Sequence, residues 1–347
     1  MLAAVLHNQN DLQIKDVPCP EISDDEVLLR SRAASICGTD MRIYRYGHSR
    51  LPDNVKRILG HEMAGEVVQV GRNIKSLREG MRVVVAPNFG CGMCRMCQRG
   101  WFHLCADYGA IGLTTDGGFA EYVRIPKIAL QQGALLQMAV DLSFEEAALN
   151  EPFACVYNGF KRCPLEIGDV VLIVGSGPIG GMHILLARLI GASKVLVADV
   201  VSSRLDFAKK LGADAIINSV EQDLKEAVME LTGGGGADLI ITACPVPEVQ
   251  EKVMEIAADH ARINFFGGLP KSKEHISFNS NLVHYKELTV TGSHGCCTYH
   301  CQKALELQNS KAIDLKPLIT NVFNLSKIDK AFEAAMTGKG LKTIVKP

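Results

Sequence analysis

The chain has 347 residues, 47% hydrophobic and 22% charged, with a formal net charge of -1. That length accommodates two domains with sizeable cores, and the near-neutral balance gives no field to attract nucleic acid or a membrane surface. No run of about 18 apolar residues marks a membrane span. The opening MLAAVLHNQNDLQIKD lacks a basic n-region and reads as a first strand, not a signal peptide. Of the twelve cysteines, four are clustered and most others sit in apolar patterns. This is the usage of a reducing, cytoplasmic setting, not of a secreted disulfide scaffold.

Residues 1–35 alternate as strands at 3–6, 12–15 and 26–34, with turn chemistry at 8–11, Pro18 and Pro20. This is an antiparallel opening. Cys37-Gly38-Thr39-Asp40 follows, and then Gly60-His61-Glu62 ahead of a strand at 64–70. A cysteine alone is most often a buried small hydrophobe. A Cys, a His and an acid together can build a metal site of mixed S, N and O chemistry with one position left open, the catalytic pattern. Between them, 42–57 holds Arg42, Arg45, Arg50, Lys56 and Arg57 against one acid, Asp53. Such a run is either a solvated face or the rim of a cleft that binds an anionic group. Tyr44 and Tyr46 fit substrate binding or packing equally.

After a strand at 80–86 comes CGMCRMCQRGWFHLC, with Cys91, Cys94, Cys97 and Cys105 at C-x2-C-x2-C-x7-C spacing. Two-residue gaps let three thiolates curl around one tetrahedral zinc, and a short loop returns the fourth. With no open position such a site is structural. The rivals are a disulfide cluster and an iron–sulfur cluster, but Ala106 stands where a ferredoxin-like run carries proline. Residues 117–123 read as a turn into a strand, and 143–162 as helices interrupted at Asn150-Glu151-Pro152. Glu151 is a helix start or a carboxylate turned into a cleft.

Residues 169–200 carry the strongest fold signal: a strand at 170–174, Gly175-x-Gly177-x-x-Gly180, a helix to about 190, and a strand at 194–198 ending at Asp199. Strand–GxGxxG–helix–strand–Asp, with the acid 19 residues past the last glycine, is a dinucleotide-binding unit. The turn Gly175, Gly177, Pro178, Ile179, Gly180 lets the backbone approach a pyrophosphate at the helix N-terminus. Asp199 would accept from the adenosine ribose and repel a 2′-phosphate, favouring NAD over NADP; Arg204 keeps NADP open. Further βα alternation places helices at 203–211, 223–232 and 248–257 and strands at 215–217, 239–242, 262–266 and 288–292. This is a doubly wound parallel sheet. The tail carries a helix at 326–337 and a strand at 343–345. Cys296, Cys297 and Cys301 read as buried or interfacial thiols before a third metal site. His183 has no assigned role.

Taken in order, CGTD at 37–40, GHE at 60–62, the four-cysteine lobe, GGFAEY at 117–122, NEP at 150–152 and GSGPIG at 175–180 resemble the zinc-dependent medium-chain alcohol dehydrogenases, specifically their polyol (sorbitol-like) and threonine dehydrogenase branch. The resemblance implies an α/β protein, a Rossmann domain plus a GroES-like β-rich catalytic domain. Its boundaries would be 1–151 catalytic, 152–291 nucleotide-binding and 292–347 returning to the catalytic domain. It further implies two zinc ions per chain. Cys37 and His61 hold the catalytic one, with Glu62 close and Glu151 where alcohol-specific members place a cysteine. NAD is the cofactor and a dimer or tetramer the assembly. The implied reaction is oxidation of a secondary alcohol of a polyol, with Thr39 passing the proton outward. Arg42 stands where the family often has a histidine. Arginine cannot act as a base, so the relay ends at water or His48. A polyol phosphate bound by the 42–57 cations and L-threonine are the alternative substrates. Small polar molecules are the only partners implied; nucleic acid and membrane are not.

Overall fold

The computed structural model describes residues 1–51, 55–338 and 340–347. The chain divides into two units, Met1–Ala154 with Gly295–Pro347, and Cys155–His294.

In the first unit the alternating opening pairs Leu2–Asn8 antiparallel with Asp11–Asp16. A seven-stranded sheet runs Leu135–Gln137, Arg82–Val85, Glu62–Val70, Val27–Ser35, Lys342–Lys346, Ile319–Asn324, with Tyr122–Ile125 also on Val27–Ser35. Period-two patterning puts Val27, Leu29, Met63, Val67, Val83, Val85 and Val123 into one core with Phe119 and Val345. The returning tail joins this sheet one strand in from its edge: Lys342–Lys346 pairs with the end of Val27–Ser35, Ile344 opposite Ser35, and with Ile319–Asn324 on its other side. Strand Ile319–Asn324 was not expected, because its faces are half-exposed and give no clean alternation.

Several helices were also missed, and two of them are long. Gly38–Tyr46 starts at the capping box of Cys37 and Asp40, yet buries only Asp40 and Ile43. Its sequence therefore reads as a run of cations. Thr298–Asn309 begins just after the Cys296–Cys297 pair. Asn150–Arg162 is one helix, with Glu151 and Pro152 in its first turn, where a missing proline N–H costs nothing.

The second unit is a six-stranded parallel sheet in the order Ala215–Asn218, Lys194–Asp199, Val170–Val174, Ala237–Thr242, Ala257–Phe265, Thr289–Gly292. The first strand is central and the order reverses beside it, the doubly wound arrangement that leaves a crevice at the carboxyl ends of the strands. The helix expected over 248–257 is shorter. It spans Pro247–Lys252, then a 3-10 turn, and Ala257 already pairs with Ala237. Alanine favours helix locally; the parallel ladder overrides it. Among the described residues, no helix is long and apolar enough to cross a membrane.

Candidate functional site

The four-cysteine lobe closes on itself. Cys94 Sγ lies 3.5 Å from Cys97 Sγ and 3.7 Å from Cys105 Sγ, and Cys91 Sγ 4.0 Å from Cys97 Sγ. Tetrahedral zinc at about 2.3 Å from each sulfur has edges of about 3.8 Å, so the set fits the ion and is no disulfide cluster; all twelve cysteines are free thiols. Cys91 and Cys94 receive backbone N–H donors. The Met93 and Cys94 amides hold the Cys91 thiol down to about 7, while burial pushes Cys97 up to about 12. The lobe is pinned at its base by Gln132, which accepts from Gly90 N–H (2.8 Å) and donates to Gly90 O (2.9 Å).

In the same unit Cys37, His61 and Glu62 come together, with ligand atoms within 4.8 Å of one another. Helix Gly38–Tyr46 positions the cysteine: Thr39 N–H donates to Cys37 Sγ (3.4 Å) and Cys37 N–H to Asp40 Oδ2 (2.9 Å). The other oxygen of Asp40, a fully buried residue, lies 3.3 Å from His61 Nδ1. At that distance, and without a hydrogen bond on Oδ1, the carboxylate bears on the ring chiefly through its charge. Burial alone would lower the His61 pKa; the Asp40 carboxylate and Cys37 outweigh it and raise it well above its ordinary value. Glu62 is buried, ion-paired through Oε2 to Lys342, and its Oε1 has no hydrogen-bond partner. An orphaned buried oxygen beside a thiol and an imidazole fits a zinc ion, which Cys37, His61 and Glu62 would share. Lys342 also donates to Ile36 O (3.2 Å). Burial opposes its charge, but Glu62 and Cys37 raise its pKa regardless.

Glu151 does not join that triple. It is buried, and its Oε1 lies 3.6 Å from Cys296 Sγ, itself 3.6 Å from Cys301 Sγ. The 42–57 cations also separate. Arg50 donates to Ala106 O (2.7 Å) and Tyr108 O (3.2 Å) and stacks on the Tyr108 ring at 4.3 Å; Arg57 pairs with Asp116 at 3.0 Å. Arg42 and Arg45 are exposed. Asp53 lies outside the described residues. Tyr44 packs, with its ring on Phe332 and its hydroxyl on Asn10 O, whereas Tyr46 is exposed. His48 Nδ1 accepts from Arg50 N–H at 3.1 Å.

In the second unit the glycine turn opens a cavity of about 760 Å³ lined by Gly175, Gly177, Asp199, Arg204, Ser219 and Lys225, among others. Gly175 has φ +105°, and a Cβ on Gly180 would stand 2.0 Å from Gly175 O, so neither tolerates a side chain. Gly177 caps helix Pro178–Ile190 and faces open space, which is where a pyrophosphate needs backbone. Pro178, Ile179 and Gly180 form the helix's first turn without lining the cavity. The dinucleotide therefore fits this crevice.

Sequence reasoning missed Asp40 and Lys342. Asp40 had a signal, as the third residue of a capping box. Lys342 had none.

Two family models match: a GroES-like alcohol dehydrogenase domain over residues 23–132 and a zinc-binding dehydrogenase over 178–310. The chain is 33% identical to sorbitol dehydrogenase of Bacillus subtilis, covering 100% of this chain and 97% of that one. It is 35% identical to L-threonine 3-dehydrogenase of Pyrococcus abyssi, covering 96% and 94%. A zinc-binding dehydrogenase of Sinorhizobium meliloti 1021 bound to NADP superposes with a TM-score of 0.92 at 29% identity, covering 100% and 99%.

Proposed function

The chain belongs to the zinc-binding alcohol dehydrogenase family, and from that premise we propose that it oxidises a secondary alcohol of a polyol and gives the hydride to NAD. The observation that carries the substrate class is the 33% identity to sorbitol dehydrogenase along the whole chain. The resemblance puts Glu151 where alcohol-specific relatives carry a cysteine, but the residue is buried beside Cys296, outside the Cys37, His61 and Glu62 group, and does not carry the substrate class. Asp199, a buried carboxylate on the dinucleotide cavity, supports NAD over NADP.

When bound, zinc supplies Lewis acidity toward the alcohol oxygen and nicotinamide accepts the hydride. Cys37 and His61 would hold the metal together with the Glu62 carboxylate, and Asp40 would orient His61. Thr39, in the first turn of Gly38–Tyr46, passes the alcohol proton outward through its hydroxyl. In the neutral ring of His48 the lone-pair nitrogen is Nδ1, already occupied by the Arg50 N–H. The proton therefore leaves through water. Of the 42–57 cations, Arg50 and Arg57 are engaged with carbonyls and Asp116, so a polyol phosphate would have to be held by the exposed Arg42, Arg45 and Lys56. The 35% identity to an L-threonine 3-dehydrogenase favours threonine as the second reading.

NAD reduction with sorbitol, xylitol, butanediol, threonine and alditol phosphates tests this. Turnover of free alditols well above the rest is expected; turnover of threonine alone, or of phosphates alone, overturns the polyol reading.

A further inference from the structure

Asp199 is saturated by its own chain. Oδ2 accepts from Ser176 N–H (2.6 Å) and Ser176 Oγ–H (3.0 Å), and Oδ1 from Val200 N–H (2.7 Å) and Val201 N–H (2.9 Å). A carboxylate offers about four lone-pair sites, so none is left for a ribose hydroxyl. Asp199 nevertheless lines the cavity beside the glycine turn. Three of the four donors are backbone amides and cannot leave. Ser176 N sits inside the turn between Gly175 and Gly177, and Val200 and Val201 lead into the helix Ser202–Lys210. Only the Ser176 hydroxyl is a rotor.

We propose that the Ser176 hydroxyl is the exchangeable donor on Asp199, and that a dinucleotide's adenosine 2′-hydroxyl binds by displacing it. Ser176 is thus a positioning residue that sets cofactor affinity through Asp199. Every binding event gives up one charge-assisted hydrogen bond to form another, so the ribose contact adds less than it would at an open carboxylate. Removing the hydroxyl leaves the fourth lone-pair site open and lets the ribose contact count in full. The inference rests on the reading of this cavity as the dinucleotide site.

The test is direct binding to the purified zinc-loaded enzyme, by ligand fluorescence and calorimetry, of NADH, its adenosine 2′-deoxy analogue and NADPH. The proteins are the wild type, Ser176→Ala, Ser176→Gly and Ser176→Thr. Ser176→Ala and Ser176→Gly are expected to bind NADH about three- to tenfold more tightly than wild type, a fraction of a full hydrogen bond to a charged group. Neither should gain on the 2′-deoxy analogue, and Ser176→Thr, which restores the hydroxyl, should return to wild-type affinity. Unchanged or weaker NADH binding by both hydroxyl-free variants overturns the inference. So does an equal gain on NADH and the analogue, since a merely structural loosening would not distinguish them. Wild-type protein that binds NADPH more tightly than NADH, or neither, contradicts the NAD reading itself and is seen without any variant.

Discussion

Lys342 and Glu62, 280 residues apart in the chain, form a buried ion pair at the Cys37–His61 pair. The strand that carries Lys342 returns from the far end of the sequence, so the first unit's metal site is completed only when the tail is in place. Removing one partner of a buried pair leaves an uncompensated charge, which costs about 3–5 kcal/mol. Lys342→Met is expected to destabilise chelator-treated protein by that amount and zinc-loaded protein by less, because the ion then offsets the Glu62 charge. Urea unfolding of both forms measures the difference; equal losses with and without zinc contradict it.

Asp40 acts on the site through His61. Asp40→Asn keeps the shape but removes the charge that faces Nδ1. Loss of such a partner typically lowers metal affinity or turnover about 10–100-fold. Competition with a chromophoric chelator should show the weaker binding, with the structural zinc retained. Unchanged affinity and turnover would mean that Asp40 only caps its helix.

His183 is fully buried on helix Pro178–Ile190, between the rings of Phe160 and Phe266, with no partner for either nitrogen. Burial pushes its pKa down to about 3 from 6.5. A depressed folded-state pKa gives stability that is present above pH 6.5 and lost as pH falls toward 3, at about 1.4 kcal/mol per unit. Acidification from pH 7 to 5 should therefore cost the wild type about 2 kcal/mol through this residue. His183→Leu should escape that loss. Unfolding free energies at both pH values decide; parallel losses in the two proteins contradict the assignment.

The tetracysteine lobe lacks a core of its own and depends on its ion. Cys97→Ser is expected to release one zinc per chain and lower the melting temperature, with the lobe becoming protease-sensitive between Phe89 and Tyr108. Limited proteolysis with metal analysis checks this. An intact lobe without zinc would make the metal dispensable.

What was legible in the sequence was short-range. The lobe spacing and the strand–glycine–helix–strand–Asp unit each lie within about thirty residues, and their chemistry depends on local backbone geometry. Cys37, His61 and Glu62 were legible as residue types, but not their neighbours. Asp40 needed the helix that its own cap starts, and that helix hides behind Arg42, Tyr44 and Arg45. Lys342 needed a pairing across nearly the whole chain. Arg50 and Arg57 were legible only as charge; their partners, two carbonyls of the cysteine lobe and Asp116, come from loop positions that no periodicity encodes.

Zinc content and NAD-reducing activity of wild type and Cys37→Ser, measured on the same preparations, test the central claim most directly. The account predicts two zinc per chain in the wild type and one in the variant. Activity should fall about a thousandfold or more, the several kcal/mol that a Lewis acid contributes. A variant that keeps both ions, or that keeps its activity with one, would contradict it.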